Sequence, residues 1–430
     1  MRTLSPLVAA FIALSSSTAV GDTDDLGDPL RLSAVVAYVR EHNPEIRAAR
    51  SRAEVAAFMP AQVRALDDPT VSHEAWNMPN SFRMDRADNN IFRISQKLPF
   101  PGKRRLAGAV AEREADVSRH IAEGTALDAV SEVKRAYFDL WEAHEKLLVY
   151  SRDKEILQRF ARVAESRYGT GDVTQSDVLR AQTEVTHVAN QVATGTLAID
   201  TARADLNALM SRAPDAPLAI PEEPEPPRLT LTSQALLELA RQQRPELAAQ
   251  SAAVAREETA IELAHRNYWP DFEVNFSRFL NSEEDDGFGL MGTVTIPFAY
   301  RSKYDAALSE AQARLDVARA ERRRVEDVIA RQVQQAFLRA RTAELQHNLF
   351  VTTHIPQAEQ SLHVTEAAYQ TGSVDLLALL DSARAIEAAH LEHIEAAADF
   401  ERAIVDLERA IGSDLAPDHS NHMPQHEGAR

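Results

Sequence analysis

The chain has 430 residues, no cysteine, 14 glycines and 65 acidic against 47 basic side chains, a formal charge of −18. Without cysteine there is no disulfide framework, thiolate metal site, thiol nucleophile or lipidated N-terminal cysteine. An acidic chain with a pI near 5.3 repels a phosphate backbone, which sets nucleic acid aside as a partner. A hydrophobic share of 44 % supplies a sizeable core, while a mean hydropathy of −0.32 and the lack of an apolar run of about 18 residues argue against a helical polytopic membrane protein.

In chain order, Arg2 precedes an apolar stretch over residues 7–14, then four hydroxyl residues, with Ala19 and Gly21 small where a signal peptidase reads. Residues 1–21 read as a secretory signal, with cleavage expected before Asp22. A helix is predicted over 44–66, because Asn43 is a good N-cap and Pro44 a good first helical residue. Two short segments of strand character follow, over 70–77 and 91–98. After them a helical pattern runs unbroken over 103–168, at 1.5 Å per residue about 100 Å long, far beyond an ordinary globular helix. A turn at Gly171 reverses the chain into a last helix. Its apolar and small residues Val178, Ala181, Val185, Val188, Val192, Gly195, Ile199, Ala202, Leu206 and Leu209 are spaced alternately three and four, a full heptad seam.

The second half repeats this plan. Asn43-Pro44-Glu45-Ile46 recurs as Arg244-Pro245-Glu246-Leu247 and Tyr168-Gly169-Thr170-Gly171 as Tyr369-Gln370-Thr371-Gly372, both at an offset of 201 residues. Leu98-Pro99-Phe100 recurs as Ile296-Pro297-Phe298 at an offset of 198. The expected units are therefore a first repeat over 22–211, a proline-rich linker over 212–229, a second repeat over 230–412 and a polar tail over 413–430. Six prolines between 213 and 228 make that linker an extended surface connector. Strands are predicted over 271–279 and 288–296, an unbroken long helix over 303–369, and a closing helix whose seam runs from Leu379 through Ile386, His393, Phe400 and Leu407 to Ala410. Arg244 is a poorer cap than Asn43. Seams on such long helices must be buried against other long helices, so each half predicts antiparallel coiled-coil-like rods.

The strands decide between a rod and a channel. Phe272, Val274 and Phe276 alternate with Asp271, Glu273, Asn275 and Ser277; Phe92, Ile94 and Leu98 alternate with Arg93, Ser95 and Lys97; and Leu290, Val294 and Ile296 alternate with Met291, Thr293 and Thr295. The first strand is poorer, with Val71, His73 and Ala75 on its apolar side. In an exported protein, apolar-out and polar-in segments of about ten residues suit a transmembrane barrel, although a soluble hairpin on a core alternates identically. Four strands cannot close a water-filled barrel, so several copies would share one. Pro69, Pro99, Pro270 and Pro297 mark the strand–helix junctions, where a fixed φ and a missing amide hydrogen suit an abrupt change of direction. Trp76, Phe100, Tyr268, Trp269 and Tyr300 lie near the same ends, as in an interfacial belt. Lys103, Arg104 and Arg105 stand at the level of the inner headgroups or are simply solvated.

On the duplicated plan, the Asn43-Pro44-Glu45 and Arg244-Pro245-Glu246 starts and the two Tyr-x-x-Gly turns, the chain resembles the TolC-like outer-membrane efflux proteins over residues 32–412. That resemblance implies a mainly α protein with a membrane β-barrel: a homotrimer whose protomers each give four strands to a shared twelve-stranded barrel. The long helices continue it as an α-helical barrel through the periplasm. It implies the outer membrane and its lipid as the setting, and a periplasmic adaptor and an inner-membrane pump as partners. Residues 98–103, Leu-Pro-Phe-Pro-Gly-Lys, look like the branch that serves heavy-metal pumps of the resistance-nodulation-division class. The turns over 168–177 and 369–381 would then be periplasmic tips, with Tyr168, Gly171, Tyr369 and Gly372 as adaptor-contact candidates. Asp381, nine residues after the turn glycine, matches a gate aspartate of the family. The other gate position, six residues after the glycine, is Ala378 here, and Asp177 holds that spacing in the first half.

No phosphate-cradling loop, nucleophile constellation or zinc-ligand pair is found, so no enzyme activity, cofactor or resident metal site is read. His419, His422, Met423 and His426 in the tail could hold a soft metal, but a polar tail of this kind is more often disordered. The reading is a passive duct of a tripartite efflux system for small solutes, heavy-metal cations among them. A type I protein-secretion channel and a soluble periplasmic coiled-coil scaffold are the alternatives.

Overall fold

The computed structural model describes residues 26–78, 87–224, 229–281 and 285–415. The signal segment and the histidines of the tail lie outside the described residues. Each half follows one order: a short helix, a medium helix, two strands, a long helix and a returning helix. In the first these are α1 (Leu32–His42), α2 (Pro44–Arg64), β1 (Thr70–Trp76), β2 (Asn89–Leu98), α3 (Lys103–Thr170) and α4 (Gln175–Leu209). In the second they are α5 (Ser233–Gln243), α6 (Pro245–Arg266), β3 (Phe272–Asn281), β4 (Gly287–Val294), α7 (Arg301–Leu349), α8 (Ile355–Gln370) and α9 (Leu376–Ile411). The short α1 and α5 were not anticipated from the sequence.

The two halves solve the same local problems with different residues. Asn43 caps α2 by accepting from the amides of Glu45 and Ile46 at 2.8 and 3.2 Å. Its Nδ2 donates to the Leu209 carbonyl at 2.9 Å, tying the start of α2 to the end of α4. Arg244 makes no cap on α6, yet its guanidinium donates to the carbonyls of Arg409 and Ala410 at 2.9 and 3.2 Å, which ties the start of α6 to the end of α9. A repeated position keeps its job through a longer side chain.

The long helices also differ. α3 runs unbroken for 68 residues, about 100 Å. The expected unbroken counterpart over 303–369 is interrupted by a π-helical turn, Phe350–His354, between α7 and α8. The cause is Pro356: without an amide hydrogen, and with its ring against the carbonyl four residues back, it cannot continue regular α-helix, and a wider turn absorbs the mismatch.

Both returning helices bury their predicted seams. Ala181, Val188, Gly195, Ile199 and Leu206 are buried on α4, and Leu379, Ile386, Ala389, Phe400, Leu407 and Ala410 on α9. α3 packs against α2, α4, α6 and α9, so it joins the halves. One apolar cluster gathers α1, α3 and α4 around Val133, Tyr137 and Leu206, and a second gathers α5, α7 and α9 around Val333, Phe400 and Leu407. The connector is less superficial than expected. Leu30 and Pro221, both buried, form a parallel bridge in which the Leu30 amide donates to the Ile220 carbonyl and the Glu222 amide to the Leu30 carbonyl, each at 2.9 Å, and the Tyr137 hydroxyl donates to the Leu30 carbonyl at 2.9 Å. Proline-rich chain has few amides to satisfy, which lets it lie against the core as a strap.

The strands form one antiparallel sheet in the order β1-β2-β3-β4. The register places Val71, Ile94, Phe276 and Leu290 in one row across it and Leu98, Phe272 and Val294 in another, all on one face. Val71, Ile94, Phe276, Leu290, Phe272 and Val294 are exposed, while Asn275 and Ser277 on the other face are 3 % and 6 % accessible. On that polar face Ser95 donates to Asn275, and Arg93 to the Ser277 hydroxyl at 3.3 Å. In the central strands the polar face is the more covered and the apolar face outermost, which is inverted for water and suited to hydrocarbon, while β1 and β4 are exposed on both faces.

Placing a cation on the outer face should cost about 2–4 kcal/mol in lipid near the midplane. Phe276→Arg is therefore expected to abolish recovery of the protein in bilayers, whereas Thr293→Lys on the opposite face should insert normally; equal insertion of both would reverse the face assignment. In the helical part, Glu401 of α9 is 6 % accessible. Burial, with a smaller push from Glu408, raises its carboxyl to about 7. The folded state thus holds a proton that the unfolded chain releases near the ordinary glutamate value of 4.5. Its contribution to stability is present below that value and is lost as pH rises toward 7, on the order of 2–3 kcal/mol. Glu401→Gln should flatten that loss in denaturation curves taken between pH 4 and pH 8.

Candidate functional site

Two places concentrate the sequence-predicted residues: the strand–helix junction and the opposite ends of the rods. At the junction Pro69 and Pro270 immediately precede β1 and the segment into β3, Pro99 follows β2, and Pro297 opens a single 3-10 turn, Pro297–Tyr300, that leads into α7. Gly102, at φ 97°, supplies the left-handed backbone that turns β2 into α3. The organising group is Asp271, which the sequence reading placed merely on the polar side of a strand. Its Oδ1 accepts from the Phe100 amide at 2.7 Å and from Lys103 Nζ at 2.8 Å. Lys103 Nζ also donates to the Trp269 carbonyl at 2.8 Å, and the Phe100 ring stacks on Trp269 at 4.9 Å. The first half's strand exit is thus pinned to the second half's strand entry. A carboxylate directly after Pro270, with a lysine directly after the Pro-Gly turn, was the available signal.

At the far end, Gly171 and Gly372 adopt φ 85° and 76°, each ending a helix in the left-handed region. Asp172 then bonds back to the Arg167 carbonyl and Ser373 to the Ala368 carbonyl, both at 2.9 Å, which closes the orphan carbonyls of the two long helices. The two repeat tyrosines part company. Tyr168 is half exposed, whereas Tyr369 is buried at 3 % accessibility. Arg167 holds Tyr369 in place: its Nη1 donates to the Tyr369 carbonyl at 2.8 Å, and the guanidinium lies 5.1 Å from the ring centre.

The two gate candidates have different surroundings. Asp177 forms a capping box with Thr174 at the start of α4, its carboxylate accepting from the Thr174 amide at 3.0 Å and hydroxyl at 2.8 Å. Those hydrogen bonds hold its carboxyl below the usual carboxylate range. Asp381 projects from α9 with a side chain 62 % exposed and lies 3.2 Å from Arg384 Nη1. Arg384 also bonds Glu184 of α4, so it bridges the inner ends of both returning helices. Arg384 and Glu184 escaped the sequence reading because a charge on an exposed helix face looks the same whether or not it meets another helix. Between these ends runs a cleft lined by Leu179, Arg180, Thr183, Leu377, Leu380 and Arg384.

Among the described residues no group of three or more histidine, aspartate or glutamate side chains is placed to hold a metal ion. No helix among them is long and apolar enough to cross a membrane.

The family model for Outer membrane efflux protein matches residues 35–212 and 236–413, the same pattern found twice along the chain. The Cobalt-zinc-cadmium resistance protein CzcC of Cupriavidus metallidurans is 22 % identical over 429 residues, which cover 96 % of this chain and 99 % of CzcC. Among solved structures, the open state of the Neisseria gonorrhoeae MtrE outer membrane channel superposes with a TM-score of 0.75 at 17 % identity, covering 90 % of each chain. The Vibrio cholerae outer membrane protein VceC gives 0.73 at 16 % identity, covering 89 % of this chain and 96 % of that one. The inverted sheet on long paired rods, and a family match spanning both halves, make this chain a member of the outer membrane efflux protein family, a non-enzymatic channel protein of the outer membrane that extends into the periplasm.

Proposed function

We propose that three copies of this chain assemble into a passive duct for a tripartite export system. The observation that carries this reading is the four-stranded sheet with an apolar outer face and open edges at β1 and β4. In lipid those edge amides and carbonyls need partners, and β4 of one copy against β1 of the next supplies them until a ring closes. The rods below continue the ring as an α-helical barrel, and energy for transport comes from an inner-membrane pump of the resistance-nodulation-division class through a periplasmic adaptor. The tips around Tyr168, Gly171 and Gly372, with the cleft between α4 and α9, are the adaptor-contact surface in this reading, while Tyr369, buried under Arg167, supports the tip from within.

The cargo class is small solutes, with divalent heavy-metal cations favoured by the full-length match to a cobalt-zinc-cadmium resistance protein. The gate lies at the inner ends of α4 and α9. Three Asp381 carboxylates around a narrow aperture focus negative potential and favour cations, and Arg384, shared with Glu184, sets how much of that charge is exposed. Asp177, engaged by Thr174, contributes through the cap it makes.

Detergent-extracted outer membranes should yield a heat-modifiable trimer that forms cation-preferring pores in planar bilayers. Monomer released by osmotic shock would overturn the duct. Asp381→Asn should lower the cation preference of single channels, and unchanged selectivity would take Asp381 out of the pore. Deleting the gene should sensitise cells to metal salts in preference to hydrophobic drugs; the reverse pattern would replace the cargo assignment.

A further inference from the structure

The junction beneath the sheet gathers positive charge in a chain whose formal balance is −18. Arg104 and Arg105 lie in the first turn of α3, and Arg301 and Lys303 in the first turn of α7; neither helix has an acidic residue there or a side-chain cap. Helix starts ordinarily carry acids, because the aligned peptide dipoles make them electropositive. Cations at both starts add to that potential where most proteins cancel it.

Some of this charge is used internally. Lys103 is committed to Asp271, and Arg104 donates to the Arg64 carbonyl at 2.8 Å. The remainder faces outward, with only weak contacts within the chain. Arg105 and Lys303 are exposed. Arg301 is 79 % exposed and meets Asp305 only at 3.8 Å, while that carboxylate accepts from the Tyr268 hydroxyl at 2.6 Å. The neighbouring acids include Asp67 and Asp68 after α2, Glu262 near the end of α6, Asp271, Glu273, Asp305, and Glu112, which pairs with Arg64 at 2.7 Å. The cations also lie against the aromatic residues of the junction, Lys303 Nζ 5.6 Å from the Tyr304 ring centre and Arg266 5.6 Å from that of Phe100.

We propose that this collar binds the phosphate groups of anionic glycerophospholipids in the leaflet facing the periplasm, an inference that rests on the membrane-embedded placement of the sheet. The apolar row Leu98, Phe272 and Val294 ends directly above the collar. A lipid whose acyl chains lie along that row carries its phosphate to the height of Arg105, Arg301 and Lys303. A free anion gains only the charge interaction. The collar thereby fixes how deep the barrel sits and selects lipid by charge.

Each cation near an anionic surface contributes about a fivefold preference, so removing three should erase most of it. Full-length protein is reconstituted in phosphatidylethanolamine vesicles doped with phosphatidylglycerol or, equally, with phosphatidylcholine, and the lipid retained on the purified particle is quantified. Enrichment of phosphatidylglycerol over phosphatidylcholine by about fivefold or more, declining as salt is raised, is expected. Arg105→Gln, Arg301→Gln and Lys303→Gln together should bring it near parity, and Arg322→Gln with Arg323→Gln, further down the rod, should leave it intact. Equal retention of the two lipids, or full enrichment in the triple variant, overturns the proposal. So does displacement by inorganic phosphate beyond that of chloride at matched ionic strength, which would make the collar a free-anion site. Conductance recorded from the same vesicles separates the two readings: pores without lipid enrichment defeat the collar alone, and enrichment without pores defeats the duct alone.

Discussion

A backbone amide or carbonyl in hydrocarbon has no water to bond, and this constraint shapes the whole molecule. Within one chain the sheet satisfies the ladders between neighbouring strands but leaves the outer edges of β1 and β4 open. A water-soluble protein would hide such edges behind a helix or blunt them with charge. Here the strands instead present Val71, Ile94, Phe276 and Leu290 outward in one row, an arrangement that suits lipid and leaves the edges in need of partners. In the proposed ring the need for closure then passes down the chain, because helices that continue it must themselves be long, paired and laterally exposed.

The junction is where the two regimes meet. Strand and rod run in different directions, and the change is made within a few residues by proline, by a left-handed glycine and by one carboxylate. Asp271 serves the first half's exit and the second half's entry at once. The junction therefore behaves as a single block shared by both repeats, and the same block carries the aromatic residues Phe100 and Trp269 and the basic residues at the starts of α3 and α7.

The two halves share one plan and differ in detail. Asn43 and Arg244 make the same tie with different reach. Tyr168 is half exposed while Tyr369 is buried under Arg167. α3 is continuous, whereas its counterpart is broken by a π turn. The long helix of the first half is thus continuous and that of the second interrupted, although both follow one repeated pattern.

Much of this was legible along the chain because it is periodic or local. Heptad spacing on α4 and α9, strand alternation around Phe272 to Phe276, proline at the junctions and glycine at the tips depend on side-chain type and near neighbours, which sequence records directly. The interruption at Pro356 was also local and was simply outweighed by the helical pattern around it. Other features belong to the tertiary structure alone. That Asp271 meets Lys103, that Arg384 meets Glu184, that Tyr369 is buried and Tyr168 is not, and that the connector straps onto Tyr137 depend on which distant surfaces touch. An exposed charge and a bridging charge are identical letters on a helix, and only the packing of one rod against another tells them apart.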